Sequence, residues 1–393
     1  MEGMKLSRVL AGGTALLFLI GGGAIEATAT HGAVASVSNE TTTTTTSTGL
    51  AGSTSTGSAG TYSEVLGKRK HHKKRHHKRK HHRKHHGKKH HKQNHQRATG
   101  MSVYAGTTGR WGGAVDTGSL SAVNAAYTRY YASGTNVPTG YASNDSQCEV
   151  GGNTTASLAA TRNAVNFVRS LGGLAPVSFN GTLNARSQRT AVMMSANRSL
   201  SHEPPSSWRC YTGDGAQNAG KSNLALSYPS ITSAGVVGLY MQDPGSSNSA
   251  VGHRRWLMNP FSTEMGSGST NTANSITVIG PRSSARPNPA FVGWPSAGYF
   301  PDSLEPTGRW SLSAGNSKVS FAGASVSVYR NGTRLAASKA RVENGYAQPT
   351  LVFNVPASQA RSGVYTVNVS GIKTTGAGTT SYSYKVRMFT PSS

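Results

Sequence analysis

Acidic residues are scarce in this chain. Its 393 residues include 14 Asp and Glu against 40 Lys and Arg, a formal net charge of +26. The imbalance is not spread evenly. Lys68 to Arg97 holds 15 Lys and Arg, 11 of the 14 His and no acid, leaving 25 Lys and Arg against 14 acids elsewhere. The remainder is only mildly basic, so the extreme charge describes a tail and says little about a folded binding face. Cysteine is nearly absent. Cys148 and Cys210 are the only two, and an even count in an exported chain favours one disulfide, with two free thiols as the alternative. Long apolar runs are also missing. Val9 to Ile25 is the longest and contains five glycines, marginal for crossing a bilayer. No internal repeat and no G-x-S-x-G elbow are present.

The N-terminus reads as an export signal over residues 1–29. Lys5 and Arg8 precede the apolar run, and Ala27-Thr28-Ala29 is a small-x-small cleavage site. A retained anchor is the competing reading. Residues 30–67 are rich in Thr, Ser, Gly and Ala, with a Thr41 to Thr46 run. Such a segment buries too little to offset its ordering entropy, so a disordered spacer is expected.

The tract over 68–97 follows. Its cations Lys68, Arg69, Lys70, Lys73, Lys74, Arg75, Lys78, Arg79, Lys80, Arg83, Lys84, Lys88, Lys89 and Lys92 suit a polyanion-binding arm, since each neutralised phosphate releases a counterion. An anionic envelope polymer or an acidic lipid surface is the expected partner; no specific nucleic acid is expected. Metal capture by the paired histidines, a nuclear-type signal and a solvated tail are the other readings. Polyanion binding should strengthen in acid as the imidazoles charge, whereas metal binding should weaken. Residues 98–119 read as a linker.

Helical periodicity is expected over Ser121 to Tyr131, Thr155 to Leu171, Thr182 to Arg198 and Ser233 to Gln242. Glu203 to Gly220 reads as loop, and Ser222 to Ala225 as a short junction. Met265 to Gly268 and Ser275 to Gly280 read as strands. From Arg286 the texture changes. Strands are expected over Ser325 to Arg330, Thr350 to Val355, Val364 to Val369 and Tyr382 to Phe389, with Asn331-Gly332 as a hairpin turn. This pattern suits an immunoglobulin-sized β-sandwich over 286–393.

The densest packet of chemistry is Val251 to Pro260, VGHRRWLMNP. Taken alone, His253 is more simply a buried structural histidine. In order along the chain stand RNAVNFVRSLGGLAPVSFN, LSHEPP, GKSNLAL, GHRRWLMNP, GWPSAGYFP and KVRMFTP. Together they resemble the CAP superfamily of cysteine-rich secretory proteins, antigen 5 and plant pathogenesis-related proteins. The closest likeness is to the bacterial branch with a C-terminal immunoglobulin-like domain.

The resemblance implies an α+β chain: a CAP-type α-β-α sandwich over 120–285, then the β-sandwich. It implies a cavity lined by His202, His253 and Asp243, with Tyr240 as the family's aromatic. Ser222 stands where the family has a glutamate. His202 and His253 become candidate ligands for a divalent metal such as Zn, although two His, one Asp and one Ser make a thin donor set. No cofactor is otherwise implied. Glu203 is a neighbouring acid that helical geometry would point elsewhere. Ser222 with a His and Asp243 has the residue types of a hydrolytic triad, but Ser222 is more simply a capping or turn serine. Cys148 and Cys210 are placed as one disulfide near His202. Arg254 and Arg255 are read either as an anionic-ligand site or as one solvated and one locally paired arginine.

The expected product is a secreted or surface-associated CAP protein, a binding module with an unidentified cleft ligand. A metal-assisted or water-activating hydrolase of peptides or envelope polymers is the alternative. A further alternative makes the Lys/His tract the functional part.

Overall fold

The computed structural model describes residues 15–19, 26–29, 113–286, 288–343 and 345–392. The expected spacer over 30–67, the Lys/His tract, residues 98–112 of the expected linker and most of the segment 1–29 read as an export signal lie outside the described residues.

Along the described residues, six strands and seven helices precede the ten strands of the C-terminal part. α1 (Leu120–Tyr127) starts on Ser119, whose hydroxyl accepts from the Ala122 N–H. It runs on as a π-helical turn, Thr128–Ala132, into the one-turn α2 (Ser133–Thr135). The extra residue of the π turn brings the consecutive Tyr130 and Tyr131 both inward, where they are buried. α3 (Thr155–Leu171) and α4 (Gly181–Asn197) are capped by Thr154 and Asn180. α5 (Gly213–Ala219), α6 (Gly235–Gln242) and α7 (Gly252–Leu257) follow.

One sheet divides these helices. β1 (Ala15–Leu19), β2 (Glu26–Ala29), β3 (Ser178–Phe179), β4 (Ser222–Tyr228), β5 (Glu264–Ser269) and β6 (Ala273–Thr277) are ordered β2-β1-β4-β6-β5-β3. The two-residue period of a strand sorts the side chains onto two faces. Leu224, Leu226 and Ala273 pack with Ala191, Met193 and Met194 of α4 and Ala219 of α5. Ala225, Met265 and Ile276 pack with Phe167 and Val168 of α3 and Tyr240 and Met241 of α6. The fold is an α-β-α sandwich in an α+β chain. α5 and β4 replace the expected loop and junction. α5 has only two alanines as apolar residues, and β4 is buried on both faces, so neither carries a readable polar–apolar period.

β5 alternates glycine and serine because α4 lies on its backbone. A Cβ at Gly268 would stand 2.1 Å from the backbone N of Gln188, and one at Gly266 would stand 2.4 Å from the carbonyl carbon of Leu183. Backbone cannot step aside as a side chain can. Gly268→Ala is expected to cost about 3 kcal/mol by overpacking, read as a lower urea midpoint at unchanged m-value.

The C-terminal part is a β-sandwich. Its strands are β7 (Phe291–Trp294), β8 (Gly298–Pro301), β9 (Arg309–Ala314), β10 (Val319–Ser320), β11 (Ser325–Arg330), β12 (Thr333–Arg334), β13 (Ser338–Glu343), β14 (Thr350–Asn354), β15 (Gly363–Thr374) and β16 (Gly378–Phe389). One sheet runs β12-β11-β15-β16-β8, with β10 on β15, and the other β13-β14-β9-β7. Asn331 and Gly332 both have positive φ between β11 and β12, as a tight hairpin requires. Trp310, Phe353 and Tyr365 fill the space between the sheets. Tyr365 stands near the start of β15, and its hydroxyl donates back to the Arg361 carbonyl at 2.6 Å. That tyrosine corner is an immunoglobulin-like feature.

Candidate functional site

α7 carries the GHRRW motif and is only six residues long. Val251 before it has φ 49°, and Asp243 at the end of α6 has φ 51°. These two left-handed residues turn the chain back so that Asp243 meets the start of α7. Asp243 Oδ1 lies 2.6 Å from His253 Nδ1, and its Oδ2 accepts from the Arg254 N–H at 3.1 Å. Both side chains are buried. A carboxylate facing Nδ1 requires a proton on that nitrogen, so the neutral ring is the Nδ1–H tautomer. Tyr240 stacks at a tilt, 5.2 Å between ring centroids. Asn223 Nδ2 donates to the His253 carbonyl at 3.0 Å. Burial pushes the Tyr240 phenol well above its usual pKa, so its hydroxyl stays protonated and donates to Asn274 Oδ1 at 2.8 Å.

His202 comes from the bend after α4. Its Nδ1 lies 2.8 Å from the Ala219 carbonyl at the end of α5. A carbonyl only accepts, so this ring too carries its proton on Nδ1. Ser222 opens β4. Its hydroxyl donates to the Asn218 carbonyl at 2.7 Å and accepts from Asn218 Nδ2 at 3.1 Å. It caps the end of α5, and its proton is directed at a carbonyl rather than at an imidazole.

An open cleft of about 660 Å³ brings His202, Ser222 and His253 together. Trp256, Lys221, Asn223 and Ile279 line it as well. Another wall comes from the sandwich, through Val342 at the end of β13 and Gly345 and Tyr346 of the β13–β14 loop. Asp243 does not line the cleft. Its left-handed backbone sends the carboxylate behind His253, which corrects the expectation that four residues share the cavity wall. Glu203 does line it: the backbone there is a bend, not a helix, so the expected reason for pointing it away does not hold.

The residues do not fit a resident divalent metal. Among the described residues no group of three or more His, Cys, Asp or Glu is placed to hold one, and the Asp243 carboxylate is committed to His253 and Arg254. Glu203 lines the same cleft but is not grouped with the two imidazoles, so the candidate Zn ligands His202 and His253 have no carboxylate placed to complete a set.

Residues 162–279 match the family model described as CAP: Cysteine-rich secretory protein family. The chain carries a CAP domain. No curated protein matches it. Cys210 of this CAP domain forms a disulfide with Cys148 ahead of the matched residues, which ties the loop before α3 to the loop after His202.

The two arginines of the motif correct the earlier reading. Neither is solvated and neither pairs with a local acid. Arg254 is 2 % exposed and meets Glu305, 51 residues away, at 2.5 Å. Arg255 is 3 % exposed, donates to the Gln348 carbonyl at 2.8 Å and lies over the Tyr346 ring. Sequence reasoning missed Glu305, Arg309, Tyr346 and Trp256. The first three are far from the motif in the chain and carry no local signal. Trp256 stands inside the motif, where a large apolar residue is more simply expected to pack.

Proposed function

We propose that the CAP domain is a binding module whose cleft takes a ligand between His202, His253 and the β13–β14 loop. We propose further that the protein is exported and held at an anionic envelope surface by its Lys/His tract. The observation that carries the cleft reading is the commitment of its polar groups. Ser222 donates to Asn218, His202 Nδ1 lies on Ala219, and His253 Nδ1 lies on Asp243. A fixed donor and acceptor pattern in an open groove suits recognition. Export over 1–29 would remove β1 and β2 and leave β4 at the sheet edge.

A water-activating hydrolase is the second reading, favoured by one contact. An imidazole oriented by a buried carboxylate at 2.6 Å is how a general base is held. Full-length protein, His202→Ala and His253→Ala decide between the two when incubated with peptides and with isolated envelope polymer. The binding reading expects no turnover from wild type above buffer. Turnover that both folded variants abolish would sink it.

The arm is tested by retention on phosphatidylglycerol vesicles against phosphatidylcholine vesicles. Retention on the anionic vesicles should fall steeply with salt and rise below pH ~6.5. It should be lost when residues 68–97 are deleted; unchanged retention after deletion would remove the tract's role.

A further inference from the structure

The His253–Asp243 pair is held from behind by the β-sandwich. Arg254 crosses the seam between the CAP layers and the sandwich. Its Nε donates to the Met241 carbonyl at 2.6 Å and its Nη1 to the Arg309 carbonyl at 2.8 Å and Ser311 Oγ at 3.1 Å. Its Nη2 donates to Glu305 Oε2 at 2.5 Å. Glu305 is fully buried. The backbone N–H of this same arginine holds Asp243 Oδ2. A second arginine works from the other side: Arg309, first residue of β9, donates to the carbonyls of Asp243 and Gly245. The left-handed Asp243 is thus clamped on its carbonyl by the sandwich and on its carboxylate by α7. The front of the cleft hangs on the sandwich too, through Arg255, Gln348 and Tyr346.

We propose that Glu305 and Arg309 of the β-sandwich are positioning residues for the cleft, setting the orientation of His253 through Arg254 and Asp243. The sandwich is then a working part of the site rather than an appended module. The Glu305–Arg254, Arg254–Asp243 and Asp243–His253 contacts are all buried, where a displaced partner has no water to replace it. A tilt of Asp243 would reach His253 directly, because the carboxylate is the group that fixes its tautomer. The inference rests on the cleft reading only in taking His253 as the group presented. Its test reads the imidazole, not a ligand, so the two can fail separately.

The test is nitrogen-15 NMR of the full chain with labelled histidine, His253→Ala assigning the ring. Wild type should show a downfield Nδ1 proton protected by Asp243. Folded Glu305→Gln and folded Arg309→Ala should each shift that proton or lose it to exchange, with circular dichroism unchanged. Lys385→Ala, at an exposed position of β16, should leave it in place. An unchanged signal in folded Glu305→Gln overturns the proposal. Should Glu305→Gln not fold, Arg309→Ala decides: a lost signal supports the proposal and an unchanged one overturns it.

Discussion

Replacing Arg254 by alanine is expected to lower the free energy of unfolding by about 3–5 kcal/mol, the range for removing one partner of a buried ion pair. The change leaves Glu305 buried without its cation. It also strips donors from the Met241 and Arg309 carbonyls and from Ser311. Denaturant titration should show the loss as a lower midpoint. Joining Arg254→Met to Glu305→Leu tests what kind of pair this is. An isolated buried ion pair is often replaced by apolar residues at no cost. Here the double variant should recover only part of the loss, because the carbonyls stay unpaired. Full recovery would show that the carbonyl contacts contribute nothing.

The same pair gives a pH dependence. Burial raises the pKa of Glu305, with Arg254 pulling it back. Between the ordinary carboxyl value and the raised one, the folded state binds a proton that the unfolded state has released. Stability should therefore decline as pH rises through that window. Glu305→Gln, which cannot titrate, should lose this contribution to the slope.

Converting Cys148 and Cys210 to serine together is expected to cost about 4 kcal/mol. The bond joins positions 62 residues apart, and loop-closure entropy at that length gives a value of this size. The loop has contacts besides the bond: Asn197 exchanges hydrogen bonds with the Arg209 backbone at 3.1 and 2.9 Å. The native loop should accordingly keep its shape, and the loss should reside in the unfolded chain. Thermal melts with and without reductant measure it. A shift of less than 2 °C for the double variant would overturn the expectation, since 4 kcal/mol corresponds to several degrees or more in a folded unit of this size.

The long helices were legible because their signals are local. Thr155 to Leu171 has a cap, an apolar stripe and a Gly-Gly stop, and α3 occupies that span. The Asn331-Gly332 turn is two residues of chemistry and needs no context. α5, read as loop, has the sequence GDGAQNA and no stripe to detect. In the site, His202 and His253 were legible through the order of the motifs. The position of Asp243 was not, because whether a carboxylate faces a cleft or backs a ring depends on one left-handed residue. Arg254 was misjudged for a related reason. Its partner Glu305 lies in the sandwich, and nothing near either residue in the chain points to the other.

The seam crossed by Arg254 and Arg255 bears on how such a protein can be inherited. A gene fragment ending near residue 285 would encode the GHRRW motif without Glu305, Arg309 or Gln348. Two guanidiniums built for a dry interface would then face water, and the Asp243 turn would lose its clamp. This junction penalises separation of the two parts. The two halves are better regarded as one unit of descent, in which a change on either side of the seam is constrained by what the other side can accommodate.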